Sequence, residues 1–316
     1  MHKVSELFNH KKYEGDLGIE IEIEGDNLPR IVKGWRCEDD GSLRGESCEY
    51  VTSTPLKIDT IDLTIDELKK SFYKKGGTIN ESVRAGVHVH VNIQEMDILQ
   101  VGCFATMFYM LEDILIRFCG QYREGNLFCL RTSDADYGLY YVIDSFNKKN
   151  HNRLNNDKIR YSAINWKPFT TYGSIEFRSM RTPSNLDLVS LWAKILLKVL
   201  EKSMFYNHPR DIIAAMSMNT PQEFLKETLD EYYYSLSFEG ESEYLMKGME
   251  NAQDFAFLIN WEDQVEYFEK KLKVVYDEFD EVEVWPINPI NEIEEKVFDI
   301  DIELPERLAV PLNVED

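Results

Sequence analysis

Three segments of the chain alternate between apolar and polar residues, which is the period expected of a strand with one buried face. They are LGIEIEIEG (17–25), GVHVHVNI (86–93) and GSIEFRSM (173–180). Isoleucine, valine and phenylalanine occupy one face of these segments. The opposite faces carry Glu20, Glu22 and Glu24, then His88, His90 and Asn92, and finally Glu176 and Arg178. The pattern therefore predicts three strands whose polar faces are rich in charged and metal-ligating side chains.

Most of the remaining chain has helical spacing. Apolar residues three and four positions apart predict a helix over 59–75, and the dense apolar segment 96–120 is too long for a strand. Further helices are predicted near 137–149, 185–207, 220–235 and 251–278, and two short extended pieces flank an Asp-Gly turn within 34–56. Strands and helices without steady alternation predict an α+β fold. Its sheet is largely antiparallel, with helices on one face and a polar face opposite.

Charge divides the chain into regions. The 316 residues include 35 Lys and Arg against 57 Asp and Glu, a net charge of −22. The segment 277–316 holds 14 of the acidic residues against Lys296 and Arg307, and so contributes −12 of this charge. We predict a main domain at 1–210, a helical extension at 211–280 and an acidic, proline-containing irregular tail at 281–316. An acidic protein without a basic stripe is a poor partner for nucleic acid or an anionic membrane.

Cysteine content and apolar segments bear on the compartment. The five cysteines are sparse, odd in number and form no CxxC pair, which is typical of a reduced, cytoplasmic protein. The N-terminal residues include no apolar run of signal-peptide length. Charged residues interrupt the apolar segment 96–119, so we expect no membrane span.

The polar faces suggest chemistry that depends on a cation. The carboxylates of Glu20, Glu22 and Glu24 would stand about 6–7 Å apart, and their repulsion costs roughly 2–3 kcal/mol per neighbouring pair. A divalent cation would offset this cost, although a solvated outer strand would explain the same pattern. His88 and His90 suit metal or phosphate contacts, but the HxHxDH pattern of zinc hydrolases is incomplete.

The third strand adds a guanidinium beside a carboxylate. Glu176 and Arg178, with Arg181 just beyond, could bind a metal ion and a phosphate, or form a cross-strand salt bridge worth little. Taken together, the three polar faces indicate a metal and phosphate platform on rigid strands.

The order of these motifs resembles the amidoligase family of the glutamine synthetase and glutamate–cysteine ligase superfamily of carboxylate–amine ligases. The matching segments cover about the first 200 residues. They are GIEIEIEG (18–25), Trp35 with DGSL (40–43), EYVTSTPL (49–56), AGVHVHVN (85–92), QYREGNLFC (121–129) and RYSAINW (160–166) running into SIEFRSMRTPSNLDLVSLW (174–192). The usual SPPL-like segment reads TSTPL here, and the family's TIEFR pattern begins with Ser174.

The resemblance implies that residues 1–210 are a catalytic core with a glutamine synthetase-like sheet. The polar, concave active-site face of this sheet would bind ATP and two or three Mg²⁺ ions, with Mn²⁺ as a possible substitute. The implied metal ligands are Glu20, Glu22, Glu49, His88 and Glu176. Those near the nucleotide and its phosphates are His90, Asn92, Arg178 and Arg181. Those near the substrates are Asp40, Ser42, Arg123 and Arg160. Of these, Arg178, Glu176, Asp40 and Arg160 are the implied catalytic residues, whereas the roles of Glu24 and Arg131 stay open.

The reaction that the resemblance implies is ATP-dependent amide or peptide bond formation through an acyl phosphate. Three alternatives remain open at this point: a phosphotransferase similar to guanidino kinases, a Mg²⁺-dependent phosphohydrolase, and a catalytically silent binding protein on the same fold. The sequence does not specify the carboxylate, the amine or the oligomeric state. Small-molecule or peptide substrates are expected.

Overall fold

The computed structural model describes residues 1–120, 123, 125–236 and 238–280. The alternating segments form strands, as the sequence predicts, and the region 34–56 supplies two short ones. The strands are β1 (Leu17–Glu24), β2 (Trp35–Glu38), β3 (Ser47–Thr52), β4 (Gly86–Asn92), β5 (Ile164–Asn165) and β6 (Ser174–Arg181).

All six strands join one antiparallel sheet in the order β2-β3-β1-β4-β6-β5. The two central strands, β1 and β4, are those in which the sequence alternates most strictly. A bulge interrupts the β4–β6 pairing between Val87 and Val89. Such a bulge re-aims the side chains beside it, and it lies next to His88.

Helices account for most of the rest of the described chain. They are α1 (Val4–Leu7), α2 (Ile61–Lys75), α3 (Ile98–Cys119), α4 (Tyr137–Asn147), α5 (Lys167–Tyr172), α6 (Asp187–Ser203), α7 (Pro209–Met218), α8 (Pro221–Leu229), α9 (Tyr233–Leu236), α10 (Glu241–Leu258) and α11 (Trp261–Asp280). The ends of α2 and α3 agree with the predicted segments to within two residues. The predicted helix near 251–278 is in fact two helices, because Ile259 is extended between them. The sequence analysis missed α1, β5, α5 and α7.

The apolar face of the sheet packs against α3. Phe177 of β6 lies between two phenylalanines of that helix, with ring centroids 5.5 Å from Phe104 and 4.6 Å from Phe108. All three side chains are fully buried. Each large side chain buried in this way stabilises the fold by roughly 1.5–3 kcal/mol. The helical layer thereby fixes which face of the sheet remains available for polar chemistry.

Helix α3 is enclosed on its other side by later helices. A side chain at Gly248 of α10 would stand 2.2 Å from the carbonyl oxygen of Met110, so α10 approaches α3 more closely than any larger residue would allow. By length and composition α3 could cross a membrane, but 89% of its most apolar window is buried within the protein. A core helix satisfies the same criteria.

Residues 1–275 form one compact unit. Helices α7 to α10, which follow residue 208, therefore belong to the same unit as the sheet. The predicted acidic tail at 281–316 lies outside the described residues.

The expectation that all cysteines are reduced is wrong for one pair. Cys37 of β2 and Cys48 of β3 form a disulfide, with 6.0 Å between their Cα atoms. Cys103, Cys119 and Cys129 are free and buried. This disulfide could not be predicted from the sequence. The two cysteines are eleven positions apart, and it is the pairing of β2 with β3 that brings them side by side.

Candidate metal and ligand-binding site

The register of the sheet brings the predicted metal ligands together. Glu22 of β1 lies opposite Glu49 of β3, and Glu20 of β1 lies opposite His88 of β4. On the next pair of strands His90 lies opposite Glu176. Directly opposite residues share a face of the sheet, with Cβ atoms about 4.5–5.5 Å apart. Residues from four strands therefore converge on one face.

His88 lies at the centre of this cluster and is 5% exposed. Its Nδ1 atom is 3.2 Å from Glu20 Oε2 and 3.6 Å from Glu176 Oε1. Its Nε2 atom is 3.7 Å from Glu22 Oε1. The two ring nitrogens of one imidazole thus face three carboxylates.

Three overlapping groups of side chains could each hold a metal ion, since within each group one ligand atom per residue lies within 4.8 Å of the others. The groups are Glu20, Glu49 and His88; Glu20, His90 and Glu176; and Glu22, Asp40 and Glu49. Carboxylate oxygens and imidazole nitrogens are ordinary ligands of divalent cations. This cluster could therefore bind metal, as the polar faces predicted.

The side of the cluster at Glu22 and Glu49 carries unbalanced negative charge. Burial, together with the charges of Glu20 and Glu22, raises the pKa of Glu49 to about 7. Burial also raises the pKa of Glu22, and the charge of His88 opposes this only in part. Carboxylates that repel one another in a buried site are stabilised by a cation, so the donor set fits a divalent ion.

The opposite side of the cluster is balanced by imidazole. Burial alone would raise the pKa of Glu20, but the hydrogen bond with His88 and the charges of His88 and His90 lower it well below its usual range. Burial would lower the pKa of His90, but Glu20 and Glu176 raise it instead. Nε2 of His90 is 3.2 Å from Glu20 Oε1 yet is not aligned for a hydrogen bond with any described residue. A ring nitrogen that faces a carboxylate in this way is placed for a shared ion.

Neighbouring groups fix the orientation of the carboxylates. The backbone N–H of Gly86 donates to Glu22 Oε2 at 2.7 Å. Glu176 accepts from Asn165 Nδ2 at 2.5 Å and from the Arg178 guanidinium. Partners of this kind hold metal ligands in one rotamer and tune their basicity.

Two cavities adjoin the cluster from different sides. The large cavity has a volume of about 510 Å³, and the arginine cavity has a volume of about 90 Å³. The lining of the large cavity includes Glu20, His90, Asn92, Thr52, Tyr13 and Tyr172. The lining of the arginine cavity includes Glu22, His88, Arg84, Arg123, Arg160 and Arg178. The cluster therefore stands between a roomy pocket and a small cationic one.

The arginine cavity contains guanidinium nitrogens without protein partners. Arg123 is 2% exposed and donates to the carbonyl oxygens of Ser179 at 3.0 Å and Met180 at 2.8 Å. Its Nη1 atom, like Nε of Arg178, has no hydrogen-bond partner within the described part of the chain. Buried donors of this kind are costly unless an acceptor satisfies them. The cavity is therefore suited to an anion.

The structure brings most of the predicted site residues to these cavities. Asp40, Ser42 and Arg160 line the arginine cavity. Asn92 lines the large cavity, but its amide nitrogen donates to the backbone oxygen of Gly15 at 2.8 Å. Through this hydrogen bond, the side chain of Asn92 holds the N-terminal segment in place.

Two residues whose sequence neighbours are ligands lie apart from the cluster. Arg181 pairs with Glu81 at 3.1 Å and lines neither cavity among the described residues. Glu24 accepts from the backbone of Arg44 at 2.8 Å. Both lie at strand ends, where the chain has moved beyond the centre of the sheet.

The sequence analysis missed several residues of the site. Arg84, Phe128 and Tyr161 line the arginine cavity, and Arg84 lies 6.0 Å from the ring centroid of Phe128. Asn165 was part of a recognised motif but had no assigned role. Tyr13 precedes the first strand and carries no motif. Only the packing of loops over the sheet places these residues at the site.

A scan against protein-family models finds no match to this chain, and a search of curated proteins finds no significant relative. The resemblance drawn from short motifs therefore rests on those motifs alone.

Proposed function

We propose that the protein is an ATP-dependent carboxylate–amine ligase that forms an amide or peptide bond through an acyl phosphate. The observation that carries this proposal is the position of the metal-ligand cluster between the two cavities. A ligase of this kind must bring a nucleotide and a carboxylate to the same cation site from different directions. The large cavity and the arginine cavity offer those two approaches.

Mg²⁺ is the cation that best suits three groups built mainly from carboxylates, and Mn²⁺ accepts the imidazoles more readily. When bound, such ions neutralise triphosphate charge and stabilise the charge that develops during phosphoryl transfer. The ligands would be Glu20, Glu22, Glu49, His88 and Glu176. The three overlapping groups are compatible with two or three ions.

The chain's own arginines would hold and orient the anionic groups. Arg178 is fixed by Glu176 and lines the arginine cavity, with its Nε atom available for a phosphate or carboxylate oxygen. Nη1 of Arg123 offers a second donor in the same cavity. Arg160 is exposed at the rim and can attract a carboxylate from solvent. Charge-assisted hydrogen bonds from guanidinium are about twice as strong as neutral ones.

The proposed chemistry proceeds in two transfers. A carboxylate oxygen attacks the γ-phosphorus of ATP, the bond to ADP breaks, and an acyl phosphate forms. An amine nitrogen then attacks the acyl carbon, phosphate leaves, and the nitrogen loses a proton. Asp40 lines the arginine cavity and can accept that proton, while the backbone N–H of Ser42 donates to its Oδ1 atom at 2.7 Å. Positioning and electrostatics supply most of the catalysis in such a site.

The test is a screen of carboxylate and amine pairs for phosphate release in the presence of ATP and Mg²⁺. A ligase releases phosphate only when both substrates are present and yields the amide, which mass spectrometry detects. A phosphorylated product without amine dependence would instead identify a phosphotransferase. Phosphate release with neither substrate would identify a phosphohydrolase, and no metal-dependent ATP binding in calorimetry would identify a silent protein.

Substitution of a single carboxylate provides a sharper test. Glu22→Gln should reduce ATP turnover at least 100-fold, because a neutral amide cannot replace a buried metal carboxylate. Glu24→Gln is the matched control, since Glu24 lies on the same strand outside the three ligand groups. Circular dichroism and thermal unfolding should be similar for both variants. Equal turnover in the two variants would contradict the assignment of Glu22.

A further inference from the structure

The large cavity extends from the metal-ligand cluster to a pair of tyrosines at its far end. Tyr13, in the N-terminal segment, and Tyr172, at the end of α5, both line it. Their side chains are large but remain 42% and 57% exposed. Neither ring contacts another aromatic ring in the part of the chain that the structure describes. Lys11 Nζ lies 5.8 Å from the ring centroid of Tyr13. Two aromatic rings are thus presented to one cavity, and neither has an aromatic partner among the described residues.

The buried side-chain amide of Gln94 holds the backbone at both tyrosines. Gln94 is 2% exposed. Its Oε1 atom accepts from the backbone N–H of Tyr13 at 3.1 Å, and its Nε2 atom donates to the backbone oxygen of Tyr172 at 2.8 Å. Gly173 packs so closely on Gln94 that a side chain there would stand 2.6 Å from Gln94 Cγ. One buried side chain therefore positions both rings, although they lie far apart in the sequence.

The length of β4 between the cluster and the segment that carries Tyr13 suits a nucleotide. Asn92 binds the backbone of that segment, and it follows His88 by four residues and His90 by two. At about 3.3 Å per residue, these separations along the strand are roughly 13 Å and 7 Å. The longer one is comparable with the span of a nucleoside triphosphate between its terminal phosphate and its base. The aromatic end of the cavity then lies where the base would reach.

The floor between the two ends is low and carries hydroxyl groups beside the apolar side chains of Val51 and Pro55. Gly18 lies on the same face as Glu20, and a side chain added there would meet nothing closer than Thr52 Oγ1 at 3.7 Å. Thr52, Ser53 and Ser174 complete the lining nearby with hydroxyl groups. A flat ring with hydrogen-bonding edges can lie against such a floor, whereas a branched aliphatic group would leave the hydroxyls unsatisfied.

We propose that Tyr13 and Tyr172 form the nucleobase subsite of the large cavity, positioned by Gln94. This proposal rests on the proposed function, because it takes the triphosphate to lie at the metal-ligand cluster. Stacking on an aromatic side chain is sequence-tolerant and contributes most of the affinity for a base in open sites. The subsite therefore binds purine nucleosides through their ring faces, and the phosphates are bound separately by the cluster.

The experiment measures adenosine and ATP separately. Saturation-transfer NMR with adenosine in metal-free buffer reports on the base subsite alone. Wild type should bind adenosine, and Tyr13→Ala and Tyr172→Ala should each weaken this binding about tenfold or more, given the usual loss on removing a stacking ring. Tyr13→Phe and Tyr172→Phe should restore it, because the ring face is retained. Tyr73→Ala, at a 90% exposed tyrosine of α2 outside the cavity, is the matched control and should bind as wild type does.

The outcomes separate the subsite from the proposed function. Adenosine binding that is absent from wild type, or unchanged in both alanine variants, would overturn the subsite whatever the turnover results are. If wild type binds adenosine as predicted but shows no Mg²⁺-dependent ATP turnover, the ligase proposal fails and the subsite stands. If both hold, the alanine variants should raise KM for ATP about tenfold and leave kcat nearly unchanged, because the base is remote from the reacting atoms.

Discussion

Glu49 and Glu112 both have a raised pKa, but only Glu49 belongs to a group of side chains that could bind a cation. Glu49 lies beside other carboxylates in a cluster that a cation can neutralise, and its pKa is raised to about 7. Glu112 of α3 is also buried, but it belongs to none of the three ligand groups. Burial, with a smaller contribution from Asp113, raises the pKa of Glu112 to about 8. Its Oε2 atom accepts from the backbone N–H of Thr132 at 2.9 Å, while Oε1 has no partner within the described residues.

The protonation of Glu112 predicts a pH-dependent stability. The folded protein holds this proton more tightly than the unfolded chain, so it binds more protons between pH 4.5 and about 8. The free energy of unfolding therefore falls as pH rises through this window. Glu112→Gln removes the titration, and its stability relative to wild type should rise between pH 5 and pH 9 by at most about 4–5 kcal/mol. Urea unfolding of both proteins at several pH values measures this difference.

Asp66 provides the control for this prediction. It is a half-exposed carboxylate on α2 that pairs with Lys69, so Asp66→Asn should leave the pH dependence of stability close to that of wild type. If wild type and Glu112→Gln lose stability in parallel as pH rises, then Glu112 is ionised in the folded protein and the prediction is wrong.

At the level of whole elements, helix α3 packs against both the sheet and a second helix. It packs against the apolar face of the sheet through Phe104 and Phe108, and against α10 on the other side. The contact with α10 depends on Gly248, where the two helix backbones meet. The helices after residue 208 therefore support the same core that orients the strands of the site.

Gly248→Ala should be destabilising although alanine favours helix formation. The added methyl would stand 2.2 Å from Met110 O and 2.9 Å from Tyr109 O, and neither backbone atom can move without shifting a helix. We expect a loss of about 1–3 kcal/mol in the free energy of unfolding, as for other overpacked cores. Chemical denaturation measures it.

Gly41→Ala is the matched control, because a side chain at Gly41 would meet no atom within 4 Å. It should change the free energy of unfolding by less than about 0.5 kcal/mol. A Gly248→Ala protein as stable as this control would mean that α10 and α3 pack less closely than described.

For the whole molecule, the cluster of carboxylates links metal binding to stability. The cluster draws ligands from β1, β3, β4 and β6, so an ion bound there joins residues that are distant in the sequence. The unfolded chain cannot assemble this set of ligands. Any cation that binds the folded site must then stabilise the fold by mass action.

Mg²⁺ or Mn²⁺ should therefore raise the thermal unfolding midpoint, and a chelator should reverse the effect. At 100 times its dissociation constant, a single bound ion adds about 2.7 kcal/mol to the free energy of unfolding. Glu49→Gln should reduce this gain, because it removes a ligand shared by two of the three groups. Differential scanning calorimetry measures the shift.

The net charge of −22 requires a control for screening, since any salt reduces repulsion within an acidic protein. NaCl at matched ionic strength provides it. Equal shifts with NaCl and with Mg²⁺ or Mn²⁺ would indicate screening alone and would contradict a specific metal site.

The amino-acid sequence alone is enough to predict the main strands and their polar faces, because side-chain alternation with period two is a local property. This alternation identified three sets of polar residues: Glu20 with Glu22, His88 with His90, and Glu176 with Arg178. Long helices such as α3 were equally readable. Short elements such as β5 were not, since two residues carry no periodicity.

The folded structure is needed to show which of these polar residues lie close together and which other side chains line the site. Strand order and register place Glu49 beside Glu22, join Cys37 to Cys48, and leave Arg181 beside Glu81. The loops that carry Tyr13 and Arg84, and the short helix α5 that ends at Tyr172, follow no periodic pattern that the sequence reveals. The physical reason is that alternation records which side of a strand is buried, whereas proximity across the sheet depends on pairings between distant parts of the chain.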